Sequence, residues 1–504
     1  MEQQLVLTGG TRPSALTPRV KKLAIWLIDR AGSPSLLMER REMARRQVRA
    51  ARALLLRASE QIVPERRRRT QARGSFIAFL EGLRPKVAET PAAIGTVAAA
   101  EGASLTGARI AVFIPGFLSG AGGAEKVAGQ VAHLLGRAGA KVDLLCRPRE
   151  EPGPFPYSWD DRIVQVRPIR EYVAEDVAAL GPGRYDLAIC FGMPGFYTRI
   201  PWVARMLGCP FIIQECTNPA AMQQALKLSS LLQSDREAYW LRQSVLSEAA
   251  AIRFTVPAYA ETVEPGNRGA AYAFYNAFVR PGSEGEAAGT PARRIICVGG
   301  MKNANKNGMA AVTAFADFAG GRTDWRMHLY GVNNFRSEMT ALAEARAPGQ
   351  IVDEGIVRDV ERIYGDAWGL MIPSFQEGLP NVIIEAFSYG VPCIGFADCP
   401  GVKDLIVDGV NGFLVDRGEV GALTRALAAL AEPATRARLS ANARAFADEA
   451  LTVERWESNW LNMVGRVLVQ QAGREEMPQG NGLPGTPARH AVWRRLLDTY
   501  PVMD

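Results

Sequence analysis

The sequence predicts an α/β protein with two Rossmann-like domains that face a cleft, preceded by a basic helical extension. Three observations predict it. The chain has 504 residues, more than a single hydrophobic core usually contains. Apolar strand-like runs alternate with helical stretches, and this alternation begins at two places in the chain. With 48% hydrophobic and 22% charged residues, the composition argues against wholesale disorder, collagen-like repeats and coiled coils.

The first 106 residues are predicted to form a basic helical extension and a linker. Residues 1–100 contain 19 Lys/Arg and 8 Asp/Glu, a net charge of +11, so the rest of the chain is slightly acidic. Strong helix formers predict a helix over about 35–65, followed by four arginines at 66–69. A solvated helix, an acidic partner and an anionic membrane surface all fit this extension, whereas a nucleic-acid partner is not indicated.

The first α/β domain is predicted over 107–280. A strand-like run at 108–115 leads to a Gly-rich turn and then to an amphipathic helix at 124–139. Further strands are predicted at 141–146, 162–167, 185–191 and 210–214. Because helical stretches separate these strands, a parallel sheet is expected.

The pattern restarts after a Pro/Gly-rich stretch at 281–292, which predicts a second α/β domain over 281–450. Its strands are predicted at 294–299, 326–331, 350–353, 368–372 and 392–396, and its helices near 307–319, 335–345, 359–365, 380–390 and 418–431. A helix over 451–471 is expected to return to the first domain, and a flexible tail is expected over 472–504. A ligand is expected in the cleft at the carboxyl ends of both sheets.

The cysteine and histidine content argues against several kinds of site. The seven cysteines include no Cys-x-x-Cys pair and the three histidines are scattered, which disfavours a zinc ribbon, a disulfide framework and a His-rich metal site. No apolar run approaches the length that spans a bilayer, and the run at 23–28 is not a convincing signal peptide. A cytoplasmic protein is therefore expected.

The segment 373–396 carries the most information about function. An apolar strand ending at Ile372 leads into a short polar loop, and Pro380 is predicted at the first position of a helix that begins at the cleft. The free backbone N–H groups at that end of a helix suit a phosphate or sugar oxygen. Gly378 would let a ligand approach the backbone closely.

Two carboxylates of this segment are candidate binding groups. Glu385 is bordered by apolar residues and needs partners, for which ribose hydroxyls would serve. Glu377, in the loop, could accept hydrogen bonds from the hydroxyls of a second sugar. Alternatively, Glu385 caps a neighbouring helix and Glu377 is merely exposed.

The spacing Glu377-x7-Glu385, with Gly378, Ala386, Gly390, Pro392, Gly401 and the later NGFLV at 411–415, resembles the nucleotide-sugar site of family 4 retaining glycosyltransferases of the GT-B fold. Other matching pieces lie in the expected order at 122–139, 212–219, 274–279, 298–307 and 364–374. The resemblance covers about 108–470.

This resemblance implies roles for the residues around the two carboxylates. Glu385 would hold the ribose hydroxyls of the donor, and Glu377 would hold the hydroxyls of the donor sugar. The backbone of Gly378, Leu379 and Asn381 would bind the sugar or the diphosphate.

The resemblance also implies a cation for the leaving group. Lys306 would pair with the diphosphate as negative charge develops there, and a solvated loop lysine is the alternative. In the family an Arg usually lies about six residues earlier, but Gly300 stands there, so only Lys302 could supply a second cation. From the first domain, Gly122 and Gly123 would approach the distal phosphate or the sugar.

A His common in the first domain of the family is absent, and Gln214-Glu215-Cys216 occupies its region. Glu215 is therefore a candidate for acceptor orientation or acid/base assistance, with a helix-capping or buried structural Glu as the alternative. At 120–125, Glu125 stands where a dinucleotide fingerprint requires its last Gly or Ala, which disfavours a nicotinamide dehydrogenase.

The implied activity is retaining transfer, of the hexosyltransferase type, from a nucleotide diphosphate sugar to a glycan or lipid-linked acceptor in polysaccharide assembly at the cytoplasmic face of the membrane. No metal and no cofactor are expected, because no clear Asp-x-Asp site is present and the lysines and helix dipoles would replace the ion. Two alternatives stay open. One is a nucleotide-sugar epimerase or hydrolase on the same scaffold, and the other is a non-catalytic nucleotide-sugar-binding partner, which Gly300 and the missing His would favour.

Overall fold

A computed structural model of the chain describes residues 93–94, 104–114, 123–146, 163–169, 174–229, 234–278, 292–300, 304–331, 337–417, 419 and 421–472. The chain divides into two compact units, Met1–Pro85 and Lys86–Asp504, and all described residues belong to the second. Several predicted features lie outside the described residues: the helix at 35–65, the arginines at 66–69, Gly122, Lys302 and the tail beyond 472.

The first sheet contains eight parallel strands within the described residues, in the order β1-β8-β7-β6-β5-β2-β3-β4. Its strands are β1 (Ala93–Ile94), β2 (Arg109–Ile114), β3 (Lys141–Cys146), β4 (Val164–Pro168), β5 (Leu187–Gly192), β6 (Phe211–Glu215), β7 (Ala251–Phe254) and β8 (Ala271–Ala273). The sequence did not predict β1, β7 or β8. The strand β1 falls inside the segment predicted as a linker, so the first domain reaches further toward the N-terminus than predicted.

Helices flank this sheet. They are α1 (Gly123–Arg137), α2 (Ala174–Leu180), α3 (Ile200–Leu207), α4 (Pro219–Ser229), α5 (Asp235–Glu248) and α6 (Pro257–Ala260). In α1, Val127, Val131 and Leu135 recur at helical spacing and are buried in the same core as residues of β2 and β3. This packing aims the N-terminus of α1 at the carboxyl edge of the sheet.

The second sheet contains six parallel strands within the described residues, in the order β11-β10-β9-β12-β13-β14. Its strands are β9 (Arg294–Val298), β10 (Arg326–Tyr330), β11 (Ile351–Gly355), β12 (Gly369–Ile372), β13 (Cys393–Phe396) and β14 (Gly412–Val415). The associated helices are α7 (Gly308–Ala319), α8 (Ser337–Arg346), α9 (Val360–Tyr364), α10 (Asn381–Ser388), α11 (Pro400–Lys403), α12 (Ala422–Ala431) and α13 (Pro433–Ala450). The prediction of two parallel α/β domains is confirmed.

The start of α10 differs by one residue from the prediction. Pro380 is the N-cap residue, with φ −74° and ψ 97°, and the helix begins at Asn381. The extended ψ of Pro380 keeps this residue outside the helix, so Asn381 takes the first helical position.

The last helix, α14 (Val453–Ala472), packs on the first sheet. Its residues Trp460, Met463 and Val464 are fully buried in the core that contains β2 and α1, and the Trp460 ring meets Phe274 edge to face at 5.9 Å. Full burial of an aliphatic side chain contributes about 1.5–3 kcal/mol. The described helices include none that is long and apolar enough to cross a bilayer.

Candidate active site

Strand order reverses once in each sheet, between β2 and β5 in the first and between β9 and β12 in the second. In a parallel sheet, the segments that follow the two strands at such a point diverge and leave a crevice at the carboxyl edge. Lys306 follows β9 and Glu377 follows β12. The topology therefore brings these two predicted site residues to one crevice, although they are 71 positions apart.

The Lys306 ammonium donates to Oε1 of Glu377 at 2.8 Å. Their side chains are 24% and 12% exposed, so the pair is partly screened from solvent. A cation and a hydrogen-bonding carboxylate thus stand side by side at the crevice, an arrangement that suits a ligand with both phosphate and hydroxyl groups.

Asn305 holds the two loops of this crevice together, a contact that the sequence did not predict. Its backbone carbonyl accepts from the Phe375 N–H at 2.8 Å. Its side-chain oxygen accepts from the Gln376 N–H at 2.9 Å, and its side-chain amide donates to the Gln376 carbonyl at 2.6 Å. These bonds fix the loop that carries Glu377 against the turn that carries Lys306.

Glu385 lies on α10, and both of its carboxylate oxygens accept hydrogen bonds. Oε1 accepts from the Lys126 ammonium at 2.7 Å, and Oε2 accepts from the Tyr364 hydroxyl at 2.8 Å. Burial, reinforced by the Glu385 charge, raises the pKa of Tyr364 well above its usual value, so this phenol stays protonated and donates. The carboxylate faces the first domain because Lys126 belongs to α1.

The N-termini of α1 and α10 meet at Asn381. Its side-chain amide donates to the Gly123 carbonyl at 3.4 Å, and its side-chain oxygen accepts from the Asn276 amide at 2.8 Å. A Cβ on Gly123 would lie 2.8 Å from the Asn381 side-chain nitrogen. Of the predicted donor-binding residues, Gly123 and Asn381 are therefore brought into contact.

Arg253 of β7 is buried and binds Asn276, the residue that contacts Asn381. Its guanidinium donates to the Gln214 side chain at 2.7 Å, the Phe274 carbonyl at 2.8 Å and the Asn276 side chain at 2.9 Å. Burial lowers the pKa of Arg253 to about 9, so the group stays charged at neutral pH. Asn276 thus connects the core of the first domain to Asn381.

The loop at Gly378 lies against the first domain. A Cβ at Gly378 would come within 2.5 Å of the Cys216 carbonyl oxygen, so only glycine fits this backbone approach. The Glu377 carbonyl accepts from the Tyr259 hydroxyl at 2.9 Å, and Leu379 packs against the cores of both sheets. The close neighbour of Gly378 is thus the protein backbone, where the sequence prediction had placed a ligand.

Glu215, the third predicted catalytic residue, is buried at the end of β6. Its side chain is 1% exposed, one oxygen accepts from the Tyr197 hydroxyl, and the other accepts from Arg242 at 3.2 Å. Arg242 is itself fully buried. This geometry favours the structural alternative for Glu215 over direct contact with an acceptor.

Within the described ranges, no group of three or more His, Cys, Asp or Glu residues could hold a metal ion. Gly122 and Lys302 lie outside those ranges, so the structure does not describe their place relative to the crevice.

Two domains, each a parallel sheet with flanking helices, form the GT-B fold. Solved structures with this fold match the chain. Sucrose-phosphate synthase of Thermosynechococcus elongatus aligns over 73% of this chain and 100% of its own, with a TM-score of 0.56 and 20% identity. HepE of Anabaena, solved in complex with UDP-glucose, aligns over 73% and 100% of the two chains, with a TM-score of 0.54 and 16% identity.

Residues 292–432 match the family model described as glycosyl transferases group 1. This region contains Lys306, Glu377 and Glu385. The lipopolysaccharide 1,6-galactosyltransferase of Escherichia coli K12 is 31% identical over 107 residues, which are 19% of this chain and 28% of that protein. The matches to curated relatives span only 18% to 32% of the relatives' own length.

Proposed function

We propose that the protein is a retaining glycosyltransferase that moves a sugar from a nucleotide diphosphate sugar to a hydroxyl of a glycan or lipid-linked acceptor. The observation that carries the proposal is that Lys306 pairs with Glu377 at the carboxyl edge of the second sheet, while Glu385 on α10 binds Lys126 of the first domain. Lys306, Glu377 and Glu385 lie within the region that matches glycosyl transferases group 1.

The chemistry of each group fits one part of such a donor. Glu385 would accept hydrogen bonds from the ribose hydroxyls, and Glu377 would accept them from the sugar hydroxyls. Lys306 would stabilise the charge that develops on the departing diphosphate, helped by the N-terminus of α10. In this proposal no metal ion is required, and transfer should persist in excess chelator.

The class of acceptor is proposed from the relatives. The E. coli relative is named for galactosyl transfer in lipopolysaccharide, which supports a role in the assembly of a cell-surface glycan. For an acceptor of this kind, the net charge of +11 over residues 1–100 would hold the enzyme at an anionic membrane surface.

The test of the activity is incubation of the full chain with a panel of UDP- and GDP-sugars and a lipid-linked oligosaccharide extract. Release of nucleoside diphosphate should depend on the acceptor, and the anomeric configuration of the product should match that of the donor. Release that occurs equally without acceptor would indicate a hydrolase instead. A rearranged donor sugar would indicate an epimerase.

A second candidate function is donor binding without turnover in a glycan-assembly partner. Gly300 favours it, because it stands where related transferases usually have a cation beside the diphosphate. Saturable donor binding without any product from the full panel would establish this function and reject transfer.

The membrane proposal has its own test. The full chain should sediment with vesicles that contain anionic lipid and should dissociate as salt is raised. Replacing the arginines at 66–69 by glutamine should weaken sedimentation and leave nucleotide binding unchanged. Equal sedimentation of both proteins at every salt concentration would contradict the proposed role of this cluster.

A further inference from the structure

The helices α1 and α10 contact each other through matched faces. Asn381 and Glu385 are four residues apart on α10, and Gly123 and Lys126 are three apart on α1, so each pair lies on one face of its helix. Asn381 contacts Gly123 and Glu385 contacts Lys126. The two contacts occur in the same order along both helices, which defines one register between the domains.

Lys126 is placed to fix the Glu385 carboxylate. Its ammonium lies 2.7 Å from Oε1 of Glu385 and 4.8 Å from the centre of the Phe278 ring, and the two charged side chains are 25% and 12% exposed. Tyr364 fixes the other oxygen at 2.8 Å. The carboxylate is therefore held by one donor from its own domain and by one donor from the opposite domain.

These two bonds do not use all the acceptor positions of the carboxylate. An ionised carboxylate offers about four lone-pair positions, of which Lys126 and Tyr364 take one on each oxygen. One position on each oxygen stays available, which matches the two neighbouring hydroxyls of a ribose.

We propose that Lys126 is a positioning residue that holds Glu385 for the donor ribose from across the cleft. The proposal rests on the proposed function, because it assigns Glu385 to a nucleotide. It follows that nucleotide recognition depends on the docking of α1 against α10, since the orientation of Glu385 is complete only when the first domain supplies Lys126.

A different role for the same ion pair predicts the opposite sign. If Lys126 were a latch that competes with the ribose for Glu385, removing the ammonium would strengthen nucleotide binding. If Lys126 contacted the diphosphate directly, its loss would weaken binding whether or not Glu385 were charged. The three roles are therefore separable by affinity measurements.

The test is a double-mutant cycle on the full chain, with UDP and GDP as probes in isothermal titration calorimetry. Lys126→Met should weaken nucleoside diphosphate binding about tenfold in the parent, as expected for one lost charge-assisted hydrogen bond, and less than about twofold in the Glu385→Gln background. Arg137→Met is the matched control, because Arg137 lies on the same helix and forms a 2.7 Å ion pair with Glu457 of α14. It should leave affinity unchanged.

A second measurement distinguishes loss of the contact between α1 and α10 from general loss of stability. Hydrogen exchange at the first turns of α1 and α10 should rise in Lys126→Met without nucleotide and should stay at the parent level in Arg137→Met. Tighter nucleotide binding by Lys126→Met would overturn the proposal in favour of a latch. An equal loss in both backgrounds would overturn it in favour of direct contact with the nucleotide.

The outcomes also distinguish the positioning role of Lys126 from the proposed glycosyltransferase activity. A parent chain that binds UDP or GDP and shows the predicted cycle, but transfers no sugar, would support the role of Lys126 and reject the glycosyltransferase. A parent chain that binds neither nucleotide would reject the assignment of Glu385, and with it the positioning role of Lys126.

Discussion

The carboxyl edges of the two sheets both carry glutamates, but the surroundings of these glutamates differ. At the first sheet, Glu215 is buried and bound by Tyr197 and Arg242, both from its own domain. At the second sheet, Glu377 and Glu385 are each partly exposed, and the partners of Glu385 come from both domains. Burial and the origin of the partners therefore separate carboxylates that look equivalent in the sequence.

The difference indicates how each carboxylate acts. A buried pair such as Glu215 and Arg242 has no face open to a ligand, and losing one partner strands a charge in the core. A carboxylate with a partly exposed partner leaves that partner access to water when its charge is removed, so the folded state should lose less stability. We therefore expect the glutamate of the first edge to support the fold, and we propose the glutamates of the second edge for binding.

The largest expected effect comes from Glu215→Gln. Removing the carboxylate charge leaves Arg242 buried without its counter-ion, which should destabilise the folded state by about 3–5 kcal/mol in urea denaturation. Glu385→Gln should cost the fold less, because its partner Lys126 is partly exposed and keeps access to water, whereas Arg242 is fully buried.

A compensating pair checks this explanation. Replacing Glu215 and Arg242 together by methionine removes both charges and should recover most of the lost stability. If Glu215→Gln instead folded like the parent but lost transfer, the buried glutamate would be a functional group, as the sequence first suggested.

Lys306→Ala tests the cation of the second edge. Because the ammonium would act on charge that develops in the transition state, kcat should fall about 10²-fold, with a smaller change in the KM for donor. Lys306→Arg keeps the charge and should recover part of the rate. Lys302→Ala is the comparison among nearby lysines, and equal, small effects at both lysines would favour donor binding without turnover.

Glu385→Gln tests the other end of the proposed donor site. The variant keeps the shape of the side chain but weakens its hydrogen bonds to ribose hydroxyls, so nucleotide affinity should fall by about 1.5–3 kcal/mol. Calorimetric titration with UDP and GDP measures this loss of affinity. Glu457→Gln, which removes the exposed partner of Arg137, should bind like the parent, and parental affinity in Glu385→Gln would mean that the ribose lies elsewhere.

Much of the fold could be predicted because most strands are continuous apolar runs. The exceptions are β1, β7, β8 and β14, and β14 has only four residues, the first of which is a glycine. The strands β1 and β8 have two and three residues, too few to show a period. The strand β7 contains Arg253, a charge that only distant partners make tolerable in a core. Its sequence alone does not indicate a buried strand.

For the proposed site, the motif supplies candidate residues but not their partners. Glu377 and Glu385 are candidates from their place in a loop and a helix after a strand, and Lys306 is a candidate from the family resemblance. The pair of Lys126 and Glu385 joins residues 259 positions apart, and Asn305 reaches across 71 positions to the Gln376 backbone. The first contact depends on how the two domains dock, and the second depends on the pairing of β9 with β12 in one sheet, neither of which a single sequence specifies.

Gly378→Ala, whose expected effect begins at the lowest value, tests the contact between the two edges. The added Cβ would lie 2.5 Å from the Cys216 carbonyl oxygen and 3.0 Å from the Thr217 Cα, and backbone atoms cannot rotate away. The loop must therefore shift from the first domain, at a cost of about 1–3 kcal/mol, and nucleotide binding should weaken while both cores remain folded.

Gly195→Ala is the matched control, because nothing lies within 4 Å of its added Cβ, so its effect should stay within about 0.5 kcal/mol. Calorimetric titration and urea denaturation of both variants separate the two expectations. If Gly378→Ala bound nucleotide like Gly195→Ala, the second edge would work without close contact to the first. Donor recognition would then belong to the second domain alone, and the two edges would differ in burial but would not depend on each other.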